Sequence, residues 1–213
     1  MPDRVSSTLI EINNGSIPGR WPRDRFRRFF SQLRLRLAWL LALVRSSFWV
    51  IFYTYAPVFS VVCGWSPWQG AAVLSLGNSS TFLVPLWGKL SRRFGARALL
   101  TGGYLLGGVF LLFTAIGALW SPEIAPLLLL AAAFAAPSSM AQGTSLFSGQ
   151  RIRMKRGAMT GIYMTYRDVS QFAPIAIFSV ILSVSHLASA FAITAAFYVF
   201  AGQLARSIHP RLR

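Results

Sequence analysis

Three ionisable side chains stand inside long apolar runs and are the first places to look for chemistry: Arg45, Arg167 and Asp168. A charge at the centre of a membrane-spanning helix costs about 2.5–3.5 kcal/mol on insertion scales, so such a residue is retained for a function or a dedicated partner. Arg45 is followed by Ser46 and Ser47, whereas Arg167 and Asp168 are adjacent and on a helix point about 100° apart. By helical spacing Asp168 shares a face with Thr165 and Gln171, and Arg167 with Tyr163 and Gln171. Beside a water-filled path, Asp168 could exchange a proton and Arg45 could hold an anionic group of a solute. The structural alternative has the arginines snorkelling to the membrane surface and Asp168 making an interhelical contact. Asn78, and Gln142 beside Ser138 and Ser139, are weaker candidates. They would serve equally in helix–helix hydrogen bonds, worth about 0.6 kcal/mol on average.

The elements that must carry these residues follow from composition. Of 213 residues, 54% are hydrophobic and 12% charged, against about 25% charged in soluble domains. Mean hydropathy is +0.54. A transmembrane helix needs about 20 predominantly apolar residues, and six stretches qualify: 38–62, 70–90, 98–120, 124–147, 157–183 and 187–204. The expected fold is therefore all-α, a polytopic bundle of six transmembrane helices.

There are 21 basic against five acidic residues, a net charge of +16. Such an excess suits nucleic-acid binding or basic membrane loops, and position decides between them. Eight arginines, Arg4 to Arg36, precede the first stretch. Lys89, Arg92, Arg93 and Arg97 join the second to the third, and Arg151, Arg153, Lys155 and Arg156 join the fourth to the fifth. Arg206, Arg211 and Arg213 follow the sixth. Nineteen of the 21 cations thus fall on one side, and the positive-inside rule puts both termini in the cytoplasm. No segment remains that could form a soluble nucleic-acid-binding face. Trp65, Trp68 and Trp120 lie at the opposite ends of the stretches, where interfacial anchoring is favoured.

Three regions result: a basic cytoplasmic segment over 1–36, the bundle over 37–206 and a basic tail over 207–213. The first segment has no apolar core and is no secretory signal peptide. Its Arg20-Trp-Pro-Arg-Asp-Arg-Phe-Arg-Arg-Phe-Phe run suits an interfacial helix on an anionic leaflet or a disordered arm that only fixes orientation.

The link between the second and third stretches runs Gly88-Lys-Leu-Ser-Arg92-Arg93-Phe-Gly95-Ala96-Arg97. It resembles the cytoplasmic loop signature of the major facilitator superfamily, roughly G-x-x-x-D-R-x-G-R-R. Gly88, Arg93, Gly95 and Arg97 match, while Arg92 replaces the acidic position and Ala96 a basic one. Physically, Gly88 would let a helix end approach its neighbour, Gly95 would permit a tight turn, and the cations would hold the loop at the inner surface. The fifth stretch opens Arg156-Gly157-x-x-x-Gly161 and reaches Pro174, similar to the eleventh helix of that superfamily. The glycine pair offers a close-packing face and Pro174 a kink. Gly77-Asn78-Ser79-Ser80-Thr81 before Pro85 resembles the family's eighth helix.

The resemblance implies a secondary transporter built from two six-span halves, each a 3 + 3 inverted repeat, working by alternating access. Six spans are one half. The degenerate signature, the basic leader and the short tail favour the C-terminal half, truncated or split from its partner. The bilayer, an unidentified small solute, and either a second copy or a separately encoded N-terminal half are the expected partners, in a bacterial inner membrane. No cofactor or metal is expected: Cys63 is the single cysteine, which excludes a CxxC site. A non-transporting membrane scaffold or regulator is the alternative. An intramembrane serine protease is the remote one, since a Ser–His pair needs a histidine in reach. His186 lies in an outer connection and His209 in the basic tail, so an enzyme is not expected.

Overall fold

A computed structural model describes residue 27 and residues 29–136 and 156–207. Among the described residues all regular structure is helical: α1 (Leu33–Val62), α2 (Pro67–Ser79), a 3₁₀ turn (Ser80–Leu83), α3 (Val84–Phe94), α4 (Ala96–Trp120), α5 (Ala125–Ala135), α6 (Arg156–Val184) and α7 (Leu187–Arg206). Four of these, α1, α4, α6 and α7, are long and apolar enough to cross a membrane unbroken.

The differences from the expected spans have local causes. α1 begins at Leu33 rather than Ala38 because Leu35 and Leu37 are buried and extend its packed face by a turn. The second span is not one helix. Ser79 and Thr81 turn their hydroxyls back to the carbonyls of Leu76 and Asn78, and Pro85 cannot donate to Thr81. Local side-chain bonds and the missing donor tighten the chain into the 3₁₀ turn. α5 ends at Ala135, and the remainder of the expected fourth span lies outside the described residues.

Pairs of contacts fix the relative helix directions. A Cβ on Gly70 would meet Pro57, and one on Gly77 would meet Phe52, so α2 runs antiparallel to α1. Likewise Gly117 faces Ala125 while Gly107 reaches Ala135, which sets α5 antiparallel to α4. Trp39 Nε1 donates to Thr165 Oγ1 at 3.2 Å, and the Ser46 and Ser170 hydroxyls are hydrogen-bonded at 2.8 Å. Both rungs ascend together, so α1 and α6 run parallel.

α4 and α7 form the most extensive pairing, and small residues permit it. A Cβ on Gly108 would come within 2.9 Å of Val199, and one on Gly202 within 2.9 Å of Leu105. The main core joins α1, α4, α5 and α7 through Phe48, Phe52, Tyr104, Leu111, Leu129, Phe191 and Tyr198. A second cluster of Phe29, Leu35, Ala38, Ala42, Ile162 and Tyr163 locks the basic end of α1 to α6. Three buried hydroxyls are satisfied within their own helices: Ser60, Thr114 and Thr194 each donate to the carbonyl four residues earlier.

Candidate functional site

Arg45 sits near the middle of α1 and is half-buried. The neighbours continue its stripe. Trp49, one turn on, stacks at 5.6 Å on Tyr53, whose hydroxyl donates to Asn78 Oδ1 at 2.9 Å. Asn78 is thus drawn to α1 at the point where α2 breaks. Trp49 Nε1 and Tyr198 OH are buried and have no hydrogen-bond partner among the described residues. Tyr104, whose ring meets Tyr198 at 5.4 Å, donates its hydroxyl to the Leu41 carbonyl. A guanidinium and a row of aromatic hydroxyls and indole therefore lie along one face of α1.

Arg167, Asp168 and Gln171 stand on α6, near its middle, and all three are exposed among the described residues. On the same helix Tyr163, Ser170, Pro174 and Phe178 are buried, and Arg167 emerges beside that packed side, one turn from Tyr163. Thr165, which helical spacing groups with Asp168, turns instead towards α1 to accept from Trp39. Of the sequence candidates, Arg45 and the α6 trio are carried by two parallel helices joined directly by the Ser46–Ser170 bond. Gln142 lies outside the described residues.

α6 as a whole is thinly covered. Only 17% of its most apolar segment is buried, against 50% in α1. Lipid cannot satisfy an arginine, a carboxylate and an amide at mid-helix, so that uncovered face needs water or another protein surface against it.

The basic link has a defined geometry. α3 carries Lys89, Arg92 and Arg93 and buries none of its residues. Arg93 lies 5.7 Å from the Phe94 ring. Gly95 takes φ +88°, a conformation that L side chains rarely adopt, and reverses the chain from α3 into α4. Arg97 donates to the Arg206 carbonyl at the end of α7, so the link closes over the strongest helix pair. Gly88 behaves otherwise than its motif suggests: a Cβ there would meet nothing within 4 Å, and no close approach among the described residues depends on it. Gly157 lies in the first turn of α6, Gly161 is half-buried and Pro174 is buried in mid-helix.

Several participants escape inspection of charge alone. Trp49, Tyr53 and Tyr198 look like ordinary apolar-run aromatics. Their signal is the spacing Arg45, Trp49, Phe52, Tyr53, which sets rings on the charged residue's own face. Trp65 was expected only to mark the interface. It is half-buried and donates Nε1 to the Glu123 carbonyl at 3.1 Å, tying together two connections at the far end. Trp68 and Trp120 remain largely exposed.

No curated protein and no solved structure matches the chain. The family model of the Major Facilitator Superfamily matches residues 7–175. That range takes in the basic link, the break after α2, Arg45 on α1 and the charged midsection of α6, and covers well over half of the sequence. Multi-pass, apolar-helical and matched across its site, the chain belongs to the Major Facilitator Superfamily of membrane transporters.

Proposed function

We propose that the chain is the C-terminal six-span half of a secondary transporter that moves a small solute by alternating access. Both termini would be cytoplasmic, in a bacterial inner membrane. The broken α2–α3 segment supplies the second span, and α5 belongs to the fourth. The observation that carries this reading is the uncovered midsection of α6, where Arg167, Asp168 and Gln171 are all exposed. In transporters of this kind the solute site lies near the bilayer midplane between two bundles. The opposing bundle would be a second copy or a separately encoded N-terminal half.

Arg45 supplies positive charge for an anionic part of the solute, Asp168 carries the coupling proton, and Gln171 and the Tyr53–Asn78 pair contribute hydrogen bonds. Regions 1–36 and 207–213 serve as cytoplasmic flanks. Membrane vesicles containing the chain, alone and with an N-terminal half, are incubated with a defined solute mixture and a pH-sensitive dye. At least one solute is expected to accumulate or be depleted with accompanying proton flux, and Asp168→Asn to abolish that coupling. Coupled transport unchanged in Asp168→Asn removes the carboxylate from the mechanism. Static solute pools in both preparations favour a non-transporting membrane component.

A further inference from the structure

α1, α6 and α7 enclose a cleft of about 240 Å³ that none of the residues above explains. Its floor is Leu41, Phe178, Thr194 and Ala201, all buried, and its rim is Ile177, Phe197 and Phe200, all exposed. Ser47 and Thr194 are its polar side chains, and the Thr194 hydroxyl is already committed to the Ala190 carbonyl. A solute with hydrogen-bonding groups would find almost nothing to bind. The cleft also lies apart from the charged face of α6: Ala173 and Ile177 line it, and helical spacing sets both at least about 120° round the helix from Asp168 and Gln171.

On α1 the lining residues Leu40, Val44, Ser47 and Ile51 form one stripe. Continued one turn towards the helix start, that stripe arrives at Arg36, which is exposed. The cleft is therefore an apolar slot within the membrane with a cation at its basic end. Small unfilled apolar spaces forfeit dispersion contacts, and the material at hand to fill a slot open to the bilayer is an acyl chain. Moving such a chain from bilayer to slot brings no hydrophobic gain, because both are hydrocarbon. Selectivity must come from the headgroup.

We propose that this cleft is a binding site for an anionic phospholipid, with one acyl chain between α1, α6 and α7 and its phosphate on Arg36. The lipid belongs to the leaflet at the basic ends of the helices. Occupying the weakly packed seam between α6 and α7, it bridges the two helices and leaves the charged face of α6 free.

The test uses the purified chain in detergent, supplemented with phosphatidylglycerol or phosphatidylcholine and examined by native mass spectrometry. Phosphatidylglycerol is expected to stay bound preferentially. Arg36→Gln should weaken its retention about fivefold, the contribution of one basic residue at an anionic surface, while leaving phosphatidylcholine unaffected. Ala173→Phe, which fills the slot without altering charge, should reduce retention of both lipids. Should that variant fail to fold, Arg36→Gln together with the comparison of the two lipids still decides. Equal retention of both lipids by the unaltered chain, or phosphatidylglycerol retention unchanged in Arg36→Gln, overturns the proposal.

Discussion

At the scale of single residues, the glycines separate into those that are needed for space and those that are not. A Cβ on Gly77 would stand 2.3 Å from the ring of Phe52, and that ring is fully buried. Alanine at a helical glycine ordinarily gains up to about 1 kcal/mol of propensity, but forced overpacking costs about 1–3 kcal/mol. Gly77→Ala should therefore lower the thermal midpoint of the detergent-solubilised protein. Gly102, also helical, has open space at its Cβ position, and Gly102→Ala should leave the midpoint unchanged or raise it. Equal shifts from the two would show that α2 does not press on Phe52.

Cys63, the single cysteine, offers a second residue-level test. It caps the end of α1, is buried, and burial pushes its thiol above the ordinary value. Since the thiolate is the reactive form, a raised value means a smaller reactive fraction at any pH below it. Maleimide labelling should be slow near neutrality and should still be accelerating at a pH where an ordinary thiol has levelled off. Denaturation in sodium dodecyl sulfate should restore ordinary behaviour. Fast, pH-saturated labelling of the folded protein would place Cys63 at the surface instead.

At the scale of elements, span positions were legible because they depend on a simple quantity, the length of an apolar run against bilayer thickness. α4 and α7 fall almost where hydropathy puts them. The break after α2 was not legible in this way. Ser79, Ser80 and Thr81 sit in an apolar context, and hydropathy cannot tell whether their hydroxyls bond back into the helix or across to a neighbour. Nor did the motif explain its own residues evenly: the turn at Gly95 follows from residue type, whereas the Arg97–Arg206 contact depends on α4 and α7 being paired. That contact is an element-scale prediction. The Arg97 guanidinium satisfies a carbonyl at the α7 terminus, where helix ends leave acceptors unpaired and favour positive charge. Arg97→Ala should speed amide exchange over Ala205–Ser207, consistent with a loss of about 0.5–1.5 kcal/mol, and Arg97→Lys should restore part of the protection. Unchanged exchange would mean that α7 ends without help from the link.

At the scale of the whole molecule, α6 is asymmetric in a way that the chain alone does not resolve. One side is fixed to α1 through Thr165, Ser170 and the Tyr163 cluster. A second side, with Val169, Phe172 and Val180 uncovered, is apolar enough for lipid. The third carries Asp168 and Gln171, and only water or an opposing bundle suits it. These three sides make separate demands on a cysteine scan in a Cys63→Ser background, in native membranes, with a charged methanethiosulfonate that enters water but not hydrocarbon. Cysteines at 164, 168, 171 and 175 should react. Those at 163, 170, 174 and 178 should be protected by α1, and those at 169, 172 and 180 by lipid. A bound solute or a closed opposing bundle should protect the first set alone, because it alone borders the path. If the first set is as inert as the third, α6 faces lipid on both free sides. The charged residues would then be held by snorkelling rather than by a path, and the transport role of Asp168 would fall with them. Reactivity in all three sets would mean that α6 is not docked on α1, and both hydrogen-bonded rungs between them would have to be abandoned.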